Sequence, residues 1–294
     1  MKNPQRRHSS RSHGGDKQNL LEYLKNYKPQ IESQQLRILL LGPVGAGKSS
    51  FLNSVSRVLR GRMSARPSVD KTSGSCSTNE YTTYKIEKDG PGSFYPFVFK
   101  EITSSVSNEA ATVDDINLAL KGHVKDGYQF NPELKLSEDD ESYDDEAHLL
   151  VWVVPARESW KFVGKFQEIR NGVSGLGDCW NHDGVPQVAL LTKIDMAASE
   201  VKQELGDFLK SEDLRDTIKF FGSDMRIPSI FPVKNYVEET HLDDDTDVLL
   251  LNALGTIVSL GNRWMKLKSS MKGCENRKQI ENVKKMILNV HRDV

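Results

Sequence analysis

Cysteine is scarce in this chain. Three among 294 residues (Cys76, Cys179, Cys274) are too few and too scattered for a disulfide framework or a zinc cluster, so a reducing, cytoplasmic setting is expected. Long apolar runs are absent too. The longest, such as Ile38–Leu41 and Leu149–Val154, fall far short of the ~18 residues that span a bilayer. The basic N-terminus leads into His, Ser, Arg and Gly rather than an apolar stretch, so no signal peptide is expected. Charge of one sign is missing as well. Forty basic and 41 acidic residues leave a formal charge of −1, with no overall field to draw the chain onto nucleic acid. No internal repeat is visible. What remains, 37% hydrophobic and 28% charged, fits a globular protein of one large domain or two small ones.

Residues 1–15 are polar, basic and without periodicity, and read as a disordered tail. Leu20, Leu21, Leu24 and Tyr27 recur at helical spacing, so residues 16–35 read as a short helix and linker closed by Pro29. Strand and helix signals then alternate. Strands are expected at 36–41, 81–88, 95–102, 148–154, 187–191 and 229–233. Helices are expected at 50–59, 113–123, 159–171, 199–221 and 247–267. This order implies a three-layer α/β fold with a mainly parallel six-stranded sheet, over a domain spanning 36–268. An acidic insertion lies near 137–147, where residues 138–146 carry seven acids and no base; it reads as a solvated loop. Residues 269–294 read as an added C-terminal helix. From Arg263 onward, nine basic residues face three acidic ones. Packing on the domain is favoured over contact with an anionic membrane.

The decisive segment is Gly42-Pro43-Val44-Gly45-Ala46-Gly47-Lys48-Ser49, which matches G-x-x-x-x-G-K-[ST] between a hydrophobic strand and a helix pattern. Glycines let the backbone curl without Cβ clashes, so successive N–H groups point inward at a phosphate. The helix beginning near Ser50 adds the positive end of its dipole. Lys48 supplies a point charge for the β and γ phosphates, and Ser49 offers a hydroxyl to Mg²⁺. Gly42, Val44, Gly45, Ala46, Gly47, Lys48, Ser49 and Ser50 are therefore the candidate phosphate-binding residues, and the fold expected is a P-loop NTPase of the Ras-like G-domain kind.

A second motif, Thr192-Lys193-Ile194-Asp195, ends a buried strand well downstream. It fits [NT]-K-x-D, which reads guanine. Guanine presents N1–H and a 2-amino group as paired donors, and one carboxylate accepts both. Adenine would leave that carboxylate unpaired. The stem of Lys193 can lie along the purine face. At the end of the last strand, Val233 and Lys234 are candidates for a backbone N–H to the base and a side chain over the ring. GTP or GDP with Mg²⁺ is the cofactor set that follows.

The hydrolytic signature is altered. After the third strand of such folds D-x-x-G is usual, but this chain has Glu101-Ile102-Thr103-Ser104. Glu101 takes the place of the Asp, and Ser104 that of the Gly. No Gln follows. Thr72, Thr78 and Thr82 compete as the switch threonine that would share the metal with Ser49, and Thr78 is preferred. Arg57, Arg60, Arg62 and Arg66 read as helix and loop residues rather than a catalytic finger. Cys179-Trp180-Asn181-His182 reads as a loop.

Together these residues resemble the interferon-induced protein 44 and 44-like family. The resemblance rests on Leu36–Phe51, Glu80–Ile86, Gly122–Pro132, Thr192–Asp195 and Phe231–Tyr236, and runs roughly from Leu36 to Met265. It implies a cytoplasmic, interferon-induced GTPase-like protein of antiviral defence. Longer members carry an N-terminal TLDc-type domain, for which this chain has only ~35 residues before its first core strand. A nucleotide-dependent switch or scaffold with slow or no hydrolysis is expected, engaging an unidentified protein partner. The alternatives are an active hydrolase stimulated by homodimerisation and a pseudo-GTPase scaffold.

Overall fold

The computed structural model describes residues 11–29, 35–63, 69–71, 80–88, 90, 92–102, 111–131, 133, 145–157, 159–177, 184–197, 212–227 and 229–272. Its strands are β1 (Leu36–Leu41), β2 (Val69–Lys71), β3 (Tyr81–Glu87), β4 (Phe94–Ile102), β5 (Leu149–Pro155), β6 (Gln187–Thr192) and β7 (Ser229–Pro232). The helices are α1 (Arg11–Lys25), α2 (Lys48–Arg60), α3 (Val113–Lys121), α4 (Val163–Gly172), α5 (Ile194–Ala197), α6 (Glu212–Lys219) and α7 (Asp244–Lys272). A 3₁₀ turn, Ser159–Phe162, leads into α4, and a π turn, Phe220–Asp224, follows α6.

The strands lie in the order β2-β3-β4-β1-β5-β6-β7. Neighbours from β4 to β7 run parallel, while β2 and β3 add an antiparallel edge. All six expected strands are present, and the short β2 is a seventh that periodicity over three residues could not signal.

Each central strand alternates between two cores. Leu36, Ile38 and Leu40 of β1 face one, with Val151 of β5, Leu190 of β6 and the apolar sides of α1, α2 and α7. Leu39 and Leu41 face the other, with Trp152, Leu191 and residues of α3, α4 and α6. Burial on both faces gives the near-continuous apolar runs of parallel strands. Gly261 lets α7 settle onto the sheet, since a Cβ there would lie 2.8 Å from Leu36 Cδ1.

Several expectations are corrected. Residues 11–15, expected to be disordered, begin α1; once Leu24 and Tyr27 anchor its end in the core, extending an existing helix costs little. The proposed division at 268/269 falls inside α7, which runs without interruption to Lys272. The helix expected from 199 to 221 is described only from Glu212, and becomes a π turn at Phe220. Residues 1–10, most of the acidic insertion (134–144), the Cys179–His182 loop and 273–294 lie outside the described residues, as do Arg66, Thr72, Thr78 and Ser104.

Candidate nucleotide site

In parallel α/β sheets a crevice opens at the carboxyl ends of the strands, where order reverses. Here β1 has β4 on one side and β5 on the other, so the loop after β1 stands at that point. The loop cannot stray. A Cβ on Gly42 would come within 2.1 Å of the Val153 carbonyl oxygen, so only glycine lets it pass against β5. Gly45 and Gly47 then take φ of 75° and 96°, the left-handed region that favours glycine. Gly47 ends the loop as the N-cap of α2 without a side-chain cap, leaving the helix's first amides for a ligand.

Lys48 is nearly inaccessible, at 4% exposure. Its Nζ donates to the carbonyls of Gly42 (2.8 Å) and Pro43 (3.1 Å), so the ammonium sits at the mouth of the loop. Burial pushes its pKa down, partly opposed by Glu101, whose Oε1 is 3.7 Å away. Glu101 shares its β4 face with Phe97 and Phe99, toward α2, and accepts from Ser49 Oγ at 3.2 Å. Two hard oxygen donors thus meet beside the phosphate loop, a donor set that suits Mg²⁺ rather than a soft metal. No group of three or more His, Cys, Asp or Glu side chains converges among the described residues. Thr82, one of the three switch candidates, is buried within β3 opposite Glu101.

The Thr192-Lys193-Ile194-Asp195 motif arrives from β6. Fully buried Thr192 donates its hydroxyl to the Ala46 carbonyl and lies 3.2 Å from that of Val154. Lys193 takes φ of 56°, uncommon for a residue with a Cβ, and this reversal starts α5 with Asp195 exposed in its first turn. Val44, Gly45, Ala46, Gly47, Lys48, Ser49, Ser50, Glu101, Lys193 and Asp195 all line one cleft of about 460 Å³. That volume suits a small ligand.

Val233 does not reach this cleft. Its side chain is buried in the core, and its N–H donates to the Leu191 carbonyl at 2.8 Å, continuing the sheet one residue beyond β7. Lys234 is not among the lining residues either; its Nζ pairs with Glu239 at 3.0 Å. Asn235, Val237 and Met196 line the cleft instead, with Asn235 on the Gly47 carbonyl of the loop. Sequence reading missed these three because no local pattern links the chain after β7, or Met196 beside Asp195, to the cleft. Of the arginines that follow the loop, Arg57 bonds the Tyr236 carbonyl at 2.9 Å and Arg60 bonds Glu87 at 2.6 Å.

With the cleft assembled, comparison with known proteins is direct. The chain is 32% identical over 260 residues to interferon-induced protein 44 of Mus musculus, covering 84% of this chain and 60% of that protein. It is 33% identical over 252 residues to the Homo sapiens protein of that name, and 29% identical over 250 residues to human interferon-induced protein 44-like. This chain is a homologue of the interferon-induced protein 44 and 44-like proteins. It spans little more than half the length of those relatives. No protein-family model matches it. Among solved structures, an ADP-ribosylation-factor-like small COPII coat GTPase of Encephalitozoon cuniculi in complex with GDP aligns over 86% of this chain and 92% of its own, at 11% identity and a TM-score of 0.45. A nucleolar GTP-binding protein 1 of Plasmodium falciparum covers 87% and 99%, at 15% identity and 0.41. Among the described residues no helix is long and apolar enough to cross a membrane.

Proposed function

We propose that this chain binds a guanine nucleotide with Mg²⁺ and serves interferon-induced antiviral defence in the cytoplasm, as a nucleotide-dependent switch or scaffold with slow or no intrinsic GTP hydrolysis. The observation that carries this reading is the meeting of Lys48 and Asp195, 147 positions apart, on one cleft. The antiviral setting is supported by homology alone.

The amides at the start of α2 and the Lys48 ammonium bind the phosphates. Ser49 Oγ and Glu101 would hold Mg²⁺, which when bound neutralises charge on the β and γ phosphates. Asp195 accepts from guanine N1–H and the 2-amino group. Lys193, Met196 and Val237 give the purine its nonpolar walls. Slow turnover is favoured by the altered hydrolytic signature: Glu101 stands where Asp is usual, Ser104 where Gly is usual, and no Gln follows to orient a water. The proposed protein partner would read the nucleotide state.

The test is to identify what nucleotide co-purifies with the chain and to measure its turnover with Mg²⁺. Guanine nucleotide with phosphate release far slower than exchange is expected. An adenine nucleotide would overturn the base assignment. Fast turnover that is lost in Lys48→Ala would overturn the assignment of slow hydrolysis.

A further inference from the structure

Asn235 has a position that neither motif accounts for. It is 92% buried, it lines the cleft, and its Nδ2 donates to the Gly47 carbonyl at 3.2 Å. It crowds that glycine as well, since a Cβ on Gly47 would lie 3.0 Å from Asn235 Nδ2. Its Oδ1 is buried with no hydrogen-bond partner among the described residues. A carboxamide left half-satisfied in this way costs stability, and here it stands at the ligand's edge.

The backbone that delivers Asn235 is fixed on both sides. Val233 is held by Leu191. Tyr236 receives a hydrogen bond at its carbonyl from Arg57, its N–H donates to Ser54 Oγ at 2.9 Å, and its hydroxyl donates to Asp247 at 2.7 Å. Asn235 is therefore clamped to α2, the helix that the phosphate loop feeds.

The consequence follows from peptide geometry. In a planar trans peptide the C=O and the following N–H point in opposite directions. Thr192 Oγ1 grips the Ala46 carbonyl, which fixes the direction of the Gly47 N–H. Asn235 Nδ2 and the Phe51 N–H share the Gly47 carbonyl, which fixes the Lys48 N–H at the mouth of the loop. Thr192 has one O–H donor and does not reach the second carbonyl, where the side-chain donor is Asn235, beside the Phe51 amide.

We propose that Asn235 is a positioning residue that aims the Lys48 amide at the nucleotide's phosphates, so that two successive peptides of the phosphate loop are set by side chains from the base-reading end. This rests on the nucleotide reading above. It makes the two halves of the site one mechanical unit, tied from the ends of β6 and β7.

The test uses the full chain with Asn235→Leu, which removes the donor, and Asn235→Asp, which keeps the shape but presents oxygens to the Gly47 carbonyl. GDP and guanosine are titrated against each, and the ¹⁵N resonances of Gly47 and Lys48 are recorded without nucleotide. GDP affinity is expected to fall about five- to tenfold. Guanosine affinity should stay unchanged, and the Lys48 amide resonance should move more than that of Gly47. If Asn235→Leu fails to fold, Asn235→Asp carries the same comparison. An unchanged GDP-to-guanosine ratio with an unmoved Lys48 resonance rejects the role. Wild-type protein that binds neither GDP nor pyrophosphate removes the nucleotide site, and this role with it.

Discussion

Two buried lysines do different things. Lys48, beyond the carboxyl end of β1, is held by main-chain carbonyls at the mouth of a cleft. Lys100, on β4, is equally covered but pairs with the Asp145 carboxylate and lies 5.3 Å from the Tyr81 ring centroid. Burial lowers the pKa of both, that of Lys100 to about 8. Around Lys100 the charges close on one another: Arg37 Nε donates to the Glu146 carbonyl at 2.7 Å, Lys268 pairs with Glu146, and His148 Nδ1 accepts from the Arg37 amide at 3.0 Å. Burial and a shifted pKa therefore do not mark a site by themselves. What separates Lys48 is that carbonyls on a glycine-shaped loop hold it, beside an open cleft that a second motif shares.

The sharpest way to break this comparison is to remove each lysine in turn. Lys48→Ala should weaken GDP binding by about 100-fold or more, read by titration calorimetry at a temperature where urea unfolding shows the variant folded. Lys100→Ala should do the reverse. It leaves GDP affinity intact and costs about 2 kcal/mol, because Asp145 loses the nearer of its two cations among the described residues and keeps only Arg37 at 3.9 Å.

A change of pH separates the two lysine neighbourhoods again. Burial, then Arg37 and Lys268, push His148 down to about 3 from its ordinary 6.5. A histidine kept neutral in the fold but protonated when unfolded contributes stability that is present above pH 6.5 and lost as pH falls toward 3. The fold should lose about 2 kcal/mol between pH 7 and pH 5 from this group alone. Protonation also removes the acceptor for the Arg37 amide. Urea midpoints across that range should show the slope in wild type and a flatter line in His148→Gln, which keeps an acceptor without the titration. A smaller effect sharpens the cleft's side of the comparison. Thr192→Val deletes the hydroxyl that holds Ala46 and should cost about 1 kcal/mol, seen both as lower stability and as weaker GDP binding.

The two neighbourhoods also differ in how much of them could be read in advance. Gly42–Ser49 is legible because its constraints are local: each glycine answers to a backbone turn or a close approach, and Lys48 and Ser49 follow in the chain. Thr192–Asp195 is legible as a motif, although its burial against Ala46, 146 positions away, is not. Glu101 could be placed by counting along β4. Asn235 could not be assigned, because its partner Gly47 lies 188 positions away and no local pattern links them. That Val233 and Lys234 stand at a strand end is legible, but not that the Val233 amide is spent on Leu191 and the Lys234 ammonium on Glu239. The Lys100 cluster was silent for a similar reason. Its members come from β1, β4, the end of the acidic segment and α7, and only the sheet order brings them together.

The most direct test of the guanine site is calorimetric titration of wild-type protein with GDP and with ADP under the same Mg²⁺ concentration. A carboxylate at position 195 that pairs with guanine donors predicts GDP binding at least about 100-fold tighter than ADP, since adenine leaves that carboxylate unpaired. Equal affinities, or no binding of either, would contradict it.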